Sequence, residues 1–206
     1  IFREYDIRGI YGQDIDDEGA YKLGRAFGTF IVRNSGNKIV VGRDDRKSSP
    51  DLSAHFIKGL IDSGILVTEV GITITPVIHF LTCVRDYDAG VNVTASHNPK
   101  DFNGFRLDYA DGIPFFGQDI QKLSQLIQNS DFEEGAGALI REDESKYYEE
   151  FFKRTFSFNK KLKVVLNCGN GAASQIAPKI LDMLGVDCIR LNCEFDSEFP
   201  NGVPDP

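Results

Sequence analysis

The chain of 206 residues lacks the basic excess that a nucleic-acid partner requires, with 23 Lys and Arg against 31 Asp and Glu and a formal charge of −8. Nucleic acid is bound by displacing its counterions with a cationic footprint, and here charges of both signs are spread along the chain without long one-sign runs. A polybasic membrane face is equally missing. So are long apolar runs: Gly64 to Val70 and Ile72 to Leu81 end well short of the roughly 20 residues that cross a bilayer. The four cysteines, Cys83, Cys168, Cys188 and Cys193, contain no C-x-x-C pair, and His55, His79 and His97 do not complete a zinc-ligand spacing. Free, buried thiols in a reducing compartment are expected. The opening Ile1-Phe2-Arg3-Glu4 has none of the zones of a signal peptide, which points to the cytoplasm, and the missing initiator Met suggests a trimmed start. No long-period repeat or low-complexity tract is present.

What is present is a 41% hydrophobic composition, enough for one large or two small cores. Short strand-like and longer helix-like segments alternate, the pattern of an α/β fold. Asp16, Asp17 and Glu18 open a helix whose apolar positions run through Ala20, Leu23, Ala26, Phe27, Phe30 and Ile31 to a stop at Asn34-Ser35-Gly36. The strand Lys38 to Gly42 follows, and Ser48-Ser49-Pro50-Asp51 caps a second helix ending at Gly64. Ile65 to Val70 is the next strand, Pro76 opens a third helix, and Ala89 to Thr94 is a buried strand. Its Asn92-Val93-Thr94 sequon is therefore disregarded as a glycosylation site. Gly104 to Asp108 reads as a strand, Asp111-Gly112 as a turn and Gln118 to Gln128 as a helix.

The acidic, Gly-bearing residues 129–137 mark a boundary, giving a first domain over 1–138 and, over 139–206, a linker helix with the start of a second domain. In that second unit, a helix from Tyr147 to Phe156 leads to the strand Leu162 to Leu166, a helix over about Ala172 to Leu184, the strand Asp187 to Asn192 and an extended tail. One strand-helix-strand unit cannot cover both faces of its strands, so the second domain is expected to be incomplete.

Thr94-Ala95-Ser96-His97-Asn98-Pro99-Lys100 sits at the carboxyl end of a buried strand, where open α/β sheets place their ligands. Asn98 precedes a proline and is driven out of the helical region, so the loop bends and presents Ser96 outward. His97, Lys100 and Arg106 follow close by, and such a spot in an acidic protein suits phosphate, whose transfer is mostly positioning and charge stabilisation. The plainer reading is an ordinary turn, for which Ser, Asn and Pro are common residues.

T-A-S-H-N-P-K followed by N-G-F-R resembles the phosphoserine loop of the α-D-phosphohexomutases, the phosphomannomutase/phosphoglucomutase family. Phe2-Arg3-Glu4-Tyr5-Asp6-Ile7-Arg8-Gly9 is similar to that family's opening motif, and Gly42-Arg43-Asp44-Asp45-Arg46-Lys47-Ser48-Ser49 to its G-R-D-x-R-x-S-S element. The resemblance covers the family's first domain and, from about Arg141, the front of its second. It implies a mixed-sheet, three-layer α/β/α first domain and the start of a similar second one. It implies an enzyme that interconverts the 1- and 6-phosphates of mannose, glucose or both. Ser96, carried as phosphoserine, would pass its phosphoryl group to the sugar and recover one from the bisphosphorylated intermediate, with glucose or mannose 1,6-bisphosphate as activator. A phosphoserine needs cationic partners, which fits the neighbours named above.

By the same resemblance Mg²⁺ is held by the phosphate of Ser96 and by three aspartates of a D-G-D-G-D-R loop that these 206 residues do not contain. The sugar-recognition and phosphate-binding segments of the family's third and fourth domains are absent as well, so the C-terminal domains of the same protein are expected partners and the fragment alone is expected to be inactive. Ser96 matches the phosphoryl carrier and His97 an acid or base, a role suited to a side chain that titrates near neutral pH. Tyr5 and Arg8 match residues facing the active site, with Arg8 steadying the phosphoryl group, and Lys100 is a weaker phosphate contact. Arg106 stands where the family usually has Lys. Because Arg stays charged, Arg106 is limited to charge stabilisation and any base work shifts toward His97. Asp45, Arg46, Ser48 and Ser49 are read as helix capping and a buried charge network.

Two other functions compete. Gly169-Asn170-Gly171-Ala172-Ala173-Ser174 is a partial dinucleotide fingerprint with Ser174 at the third glycine, which would make an NAD-type oxidoreductase; a tight turn explains the same glycines. A non-catalytic sugar-phosphate binding module is the other. A serine hydrolase is disfavoured because Ser96 lacks the G-x-S-x-G context.

Overall fold

The computed structural model describes residues 7–202. Tyr5 and the rest of the opening motif before Ile7, together with the end of the tail, lie outside the described residues.

The first helix, α1 (Asp17–Arg33), starts where the sequence places it. Asp16 accepts a hydrogen bond from the Gly19 N–H at 2.7 Å, acidic residues fill the first turn, and Arg33 sits in the last. Beyond it, Ser35 takes the left-handed conformation and the Gly36 N–H returns to the Ile31 carbonyl at 2.9 Å. The helix α2 (Ser49–Asp62) begins on Pro50, and α3 (Thr75–Val84) on Pro76.

Six strands form one mixed sheet: β1 (Ile7–Ile10), β2 (Lys38–Arg43), β3 (Leu66–Ile72), β4 (Ala89–Val93), β5 (Phe102–Tyr109) and β6 (Ala138–Arg141), in the order β1-β5-β4-β2-β3-β6. β4, β2, β3 and β6 run parallel, whereas β5 is antiparallel to both β4 and β1. Alternation along β2 sends Ile39 and Val41 to one face and Val40 to the other. The first face packs against α1, α2 and α4 (Gln118–Asn129); the second packs against α3 and against α5 (Ser145–Thr155) through Tyr147, Tyr148 and Phe152. This is the expected three-layer α/β/α arrangement. A second, two-stranded parallel sheet holds β7 (Lys163–Asn167) and β8 (Asp187–Leu191). Among the described residues no helix is long and apolar enough to cross a membrane.

Several details depart from the sequence reading. β6 was not expected, and its pairing with β3 carries the first sheet through Arg141, past the division placed at 138. The long helix expected from Ala172 is a 3₁₀ turn (Ala172–Gln175) followed by α6 (Ala177–Met183), because Pro178 supports a fresh helix start after Ile176. The tail folds back at Pro200 to Gly202, where the Gly202 N–H reaches the Phe199 carbonyl at 3.2 Å. The cysteines are free as expected but not buried: Cys83 is exposed, and Cys168, Cys188 and Cys193 are half-buried at strand ends or on a partly covered sheet.

Candidate functional site

β4 is buried along its whole length, as are Thr94 and Ala95, and the chain reaches solvent at Ser96. Ser96 has φ +56°, a left-handed conformation uncommon for a residue with a Cβ. Local bonds fix it: Thr94 Oγ1 accepts from the Ser96 N–H at 2.9 Å, and the Asn98 N–H donates to the Ala95 carbonyl at 3.1 Å. The hydroxyl is thereby turned outward, with Oγ 3.3 Å from Nδ1 of the exposed His97.

The strained turn is held from beneath by Arg46, which is 1% exposed. Its Nη2 donates to the carbonyls of Ser96 at 3.0 Å and Asn98 at 2.7 Å, and Nη1 to those of Pro99 at 2.6 Å and Phe102 at 3.1 Å. Asp44 orients the guanidinium by accepting from Nε at 3.0 Å, and Ser49 donates its hydroxyl to the same carboxylate. Asn103 donates to Ser48 Oγ at 2.8 Å and Ser49 Oγ at 2.9 Å, tying the loop's far end to the same corner. The buried charge network read from the sequence is therefore present. The capping is not: Ser48 makes no side-chain cap bond to α2, its hydroxyl being engaged by Asn103.

Arg8 reaches this loop from β1, Nη1 donating to Asn98 Oδ1 at 3.0 Å. Lys100 and Arg106 are each matched by a carboxylate. Lys100 Nζ lies 2.6 Å from Glu198, which also pairs with Lys47, and the two ammonium groups hold the Glu198 carboxyl down at about 2. Arg106 stands on β5 opposite Asn92, with Nε 3.5 Å from the buried Asp108, whose pKa burial raises against the pull of Arg106 and His79. Of the side chains grouped by spacing around Ser96, Lys100 and Arg106 are in ion pairs and His97 lies beside the hydroxyl, whereas the cations that bond the loop itself are Arg8 and Arg46.

A cavity of about 350 Å³ opens beside Ser96. Asp45, Thr75, Asn92 and Thr94 line it from the first unit, Cys168, Gly171 and Phe199 from the second. The Phe199 ring centroid is 5.3 Å from the Arg46 guanidinium, so the tail closes over the network that shapes the loop. Asp45, which the sequence reading groups with the capping and charge-network residues, lines the cavity with one oxygen buried and without a partner, and burial pushes its carboxyl up to about 6. Spacing could not reveal this, because the opposite wall comes from residues more than a hundred positions away.

Among the described residues no three or more His, Cys, Asp or Glu side chains gather where they could hold a metal ion. They do not by themselves fit a magnesium site. The glycine loop after β7 is equally unlike a dinucleotide cradle. Gly169 and Asn170 have φ near +60° and lead into a 3₁₀ turn rather than a helix N-terminus, while the Asn170 side chain is tied to the Glu194 carbonyl at 3.0 Å and to Asn201 at 2.8 Å.

With this geometry in view, known proteins place the chain. Residues 1–134 match the phosphoglucomutase/phosphomannomutase family's alpha/beta/alpha domain I, and residues 145–206 its alpha/beta/alpha domain II. A phosphomannomutase/phosphoglucomutase of Pseudomonas aeruginosa is 40% identical over all of this chain and 44% of its own length. A phosphomannomutase of Escherichia coli is 34% identical, again over the whole chain and 47% of its own. The crystal structure of a phosphoglucomutase/phosphomannomutase family protein from Burkholderia thailandensis superposes with a TM-score of 0.97 at 36% identity, covering 100% of this chain and 46% of that one. The chain spans less than half the length of these relatives. The chain belongs to the phosphoglucomutase/phosphomannomutase family.

Proposed function

We propose that the protein of which this chain is part interconverts hexose 1-phosphate and hexose 6-phosphate, with glucose, mannose or both as the sugar, by way of a phosphoserine and a bisphosphorylated intermediate. The observation that carries this reading is Ser96 itself: an exposed hydroxyl on a left-handed turn, fixed by a buried arginine that bonds the carbonyl of the same residue. A phosphoryl carrier must be rigid enough to aim its group and open enough to meet two ends of one sugar, and the turn satisfies both conditions.

In this reading Ser96 Oγ carries the phosphoryl group and gives it to a sugar hydroxyl. His97, 3.3 Å from that oxygen, takes or returns the proton at Nδ1. Arg8 and Arg106 offset the charge on the transferring group, while Tyr5 and Lys100 contact the substrate. Lys100 is released to do so when Glu198 yields it. Magnesium would meet one oxygen of the Ser96 phosphate, its other ligands lying outside this chain. A sugar 1,6-bisphosphate would prime the serine, and the cytoplasm is the working compartment.

The test is an intact-mass spectrum of the full-length protein, first dephosphorylated and then incubated with glucose 1,6-bisphosphate. A phosphate-sized gain that maps to Ser96, and that Ser96→Ala abolishes, is expected. Turnover of hexose phosphate without any phosphate on Ser96 would overturn the assignment.

A further inference from the structure

Cys168 directly follows β7 and Cys193 lies just beyond β8, so the parallel pairing that sets Asn167 opposite Leu191 brings both thiols to one rim of the second sheet. The backbones are locked together there, the Cys168 N–H donating to the Leu191 carbonyl at 3.1 Å and the Asn170 N–H to the Asn192 carbonyl at 2.8 Å. The two sulfur atoms stand 3.1 Å apart, both thiols free and both half-buried. A disulfide needs about 2.0 Å between sulfurs, so closure asks the two sulfur atoms to approach by about 1 Å from their 3.1 Å separation. Cys83 lies near the end of α3; Cys188, inside β8 opposite Val164, acts on the Cys168 thiol through its charge, whereas Cys193 is the cysteine whose sulfur contacts that of Cys168.

The pair is placed where closing it has a consequence. Cys168 lines the cavity beside Ser96, and the turn it begins carries Asn170, whose side chain holds Glu194 and Asn201 on either side of Phe199. Phe199 in turn lies over Arg46.

We infer that Cys168 and Cys193 form a reversible dithiol–disulfide site in the wall of the Ser96 cavity, closed by exchange with a small-molecule disulfide such as oxidised glutathione. One protein thiolate attacks the glutathione disulfide, forming a mixed disulfide and releasing one glutathione thiol. The second protein thiol then loses its proton and attacks the sulfur of the first, joining Cys168 to Cys193 and releasing the second glutathione. The protein loses two hydrogens and two electrons, and the two glutathione thiols carry them. Burial, reinforced by Cys193, pushes the Cys168 thiol up to about 12, so closure is slow at neutral pH and accelerates in alkaline buffer.

The test incubates the full-length protein with oxidised glutathione, blocks remaining thiols by alkylation and maps the peptides without reduction. Expected are the loss of two hydrogen masses and a peptide joining Cys168 to Cys193, formed faster in alkaline than in neutral buffer and reopened by dithiothreitol. Cys193→Ser should keep its melting temperature under reducing conditions and fail to lose the two hydrogens. A bridge that contains Cys83 or Cys188, stable glutathione adducts on both Cys168 and Cys193, or no mass change at all would each overturn the inference. The wild-type peptide map decides the matter even if the variant folds poorly.

Discussion

Arg46 is the residue on which the site's geometry rests. Its guanidinium, itself buried, bonds four carbonyls of the Ser96 loop and is held by the buried Asp44. Lysine carries the charge but offers a compact ammonium where a planar fork is needed. Arg46→Lys should therefore break up this set of carbonyl bonds, leave the Asp44 carboxylate poorly matched and lower stability by about 2–4 kcal/mol, read as a lower midpoint in urea unfolding, together with faster hydrogen exchange across 96–103. His97→Gln has the opposite signature. The side chain is exposed and packs against nothing the fold needs, so stability should hold while turnover of the full-length enzyme falls by about 10² or more. Near-normal turnover would remove His97 from the proton transfer. Asp45 supplies a pH effect. Its carboxyl is raised from 3.8 to about 6 by burial, so the native state binds this proton more tightly than the unfolded chain does. Its contribution to stability is complete below 3.8 and is lost as pH rises through about 6. Asp45→Asn should consequently stabilise the protein above that range, on the order of 1 kcal/mol, with the gain vanishing in acid; a gain that is the same at every pH would exclude this account. Ser96's exposure was legible in the sequence because a buried strand followed by an X-Pro turn must bring the chain out of the sheet. The orphaned oxygen of Asp45 was not, since the cavity it faces is also lined by Gly171 and Phe199, distant in the sequence.

At the scale of elements, α1 and α2 approach closely enough that two glycines are needed where the backbones touch. A Cβ on Gly24 would lie 2.1 Å from the Phe56 carbonyl oxygen, and one on Gly59 would lie 2.3 Å from that of Tyr21. Both obstacles are main chain and cannot rotate away. Ordinarily Gly→Ala inside a helix is stabilising by roughly 0.5–1 kcal/mol; here Gly59→Ala should reverse the sign and cost about 1–3 kcal/mol as the helices are forced apart, measured by thermal or urea unfolding. Most helices and central strands were readable because each had its own local cause: the Asp16 cap, the prolines at Pro50 and Pro76, an apolar run at Ala89 to Val93. β6 had none. Its four residues, mostly exposed at the sheet edge, owe their conformation to pairing with β3 rather than to any alternation of their own. α6 misled for the converse reason, an apolar period that runs on through Pro178 where the backbone restarts.

At the scale of the whole molecule, the two units meet through contacts of different character. Ile176 and Ile180 join Val77, Ile78 and Leu81 in one apolar cluster, while Glu198 binds Lys47 and Lys100 at the surface. The apolar contact is not screened by salt; the ionic one is, because exposed charges are screened within about 10 Å at ordinary ionic strength. The linkage has a sign as well. Lys100 and Lys47 depress Glu198 to about 2 from its ordinary 4.5, so the clamp is complete above 4.5 and is lost as pH falls through about 2. In a protein of net charge −8 this clamp also occupies two of the cations nearest the Ser96 loop. Glu198→Gln should leave the shared apolar cluster intact and loosen only the segment that ends on Phe199. The expected result is faster limited proteolysis within 193–202 at low salt, matched by the wild type when salt is raised toward molar concentration. Identical cleavage rates for the two proteins at low salt would mean that the Arg46–Phe199 contact and the Asn170 hydrogen bonds hold the segment unaided, and that the lysines beside the loop are restrained by something other than Glu198.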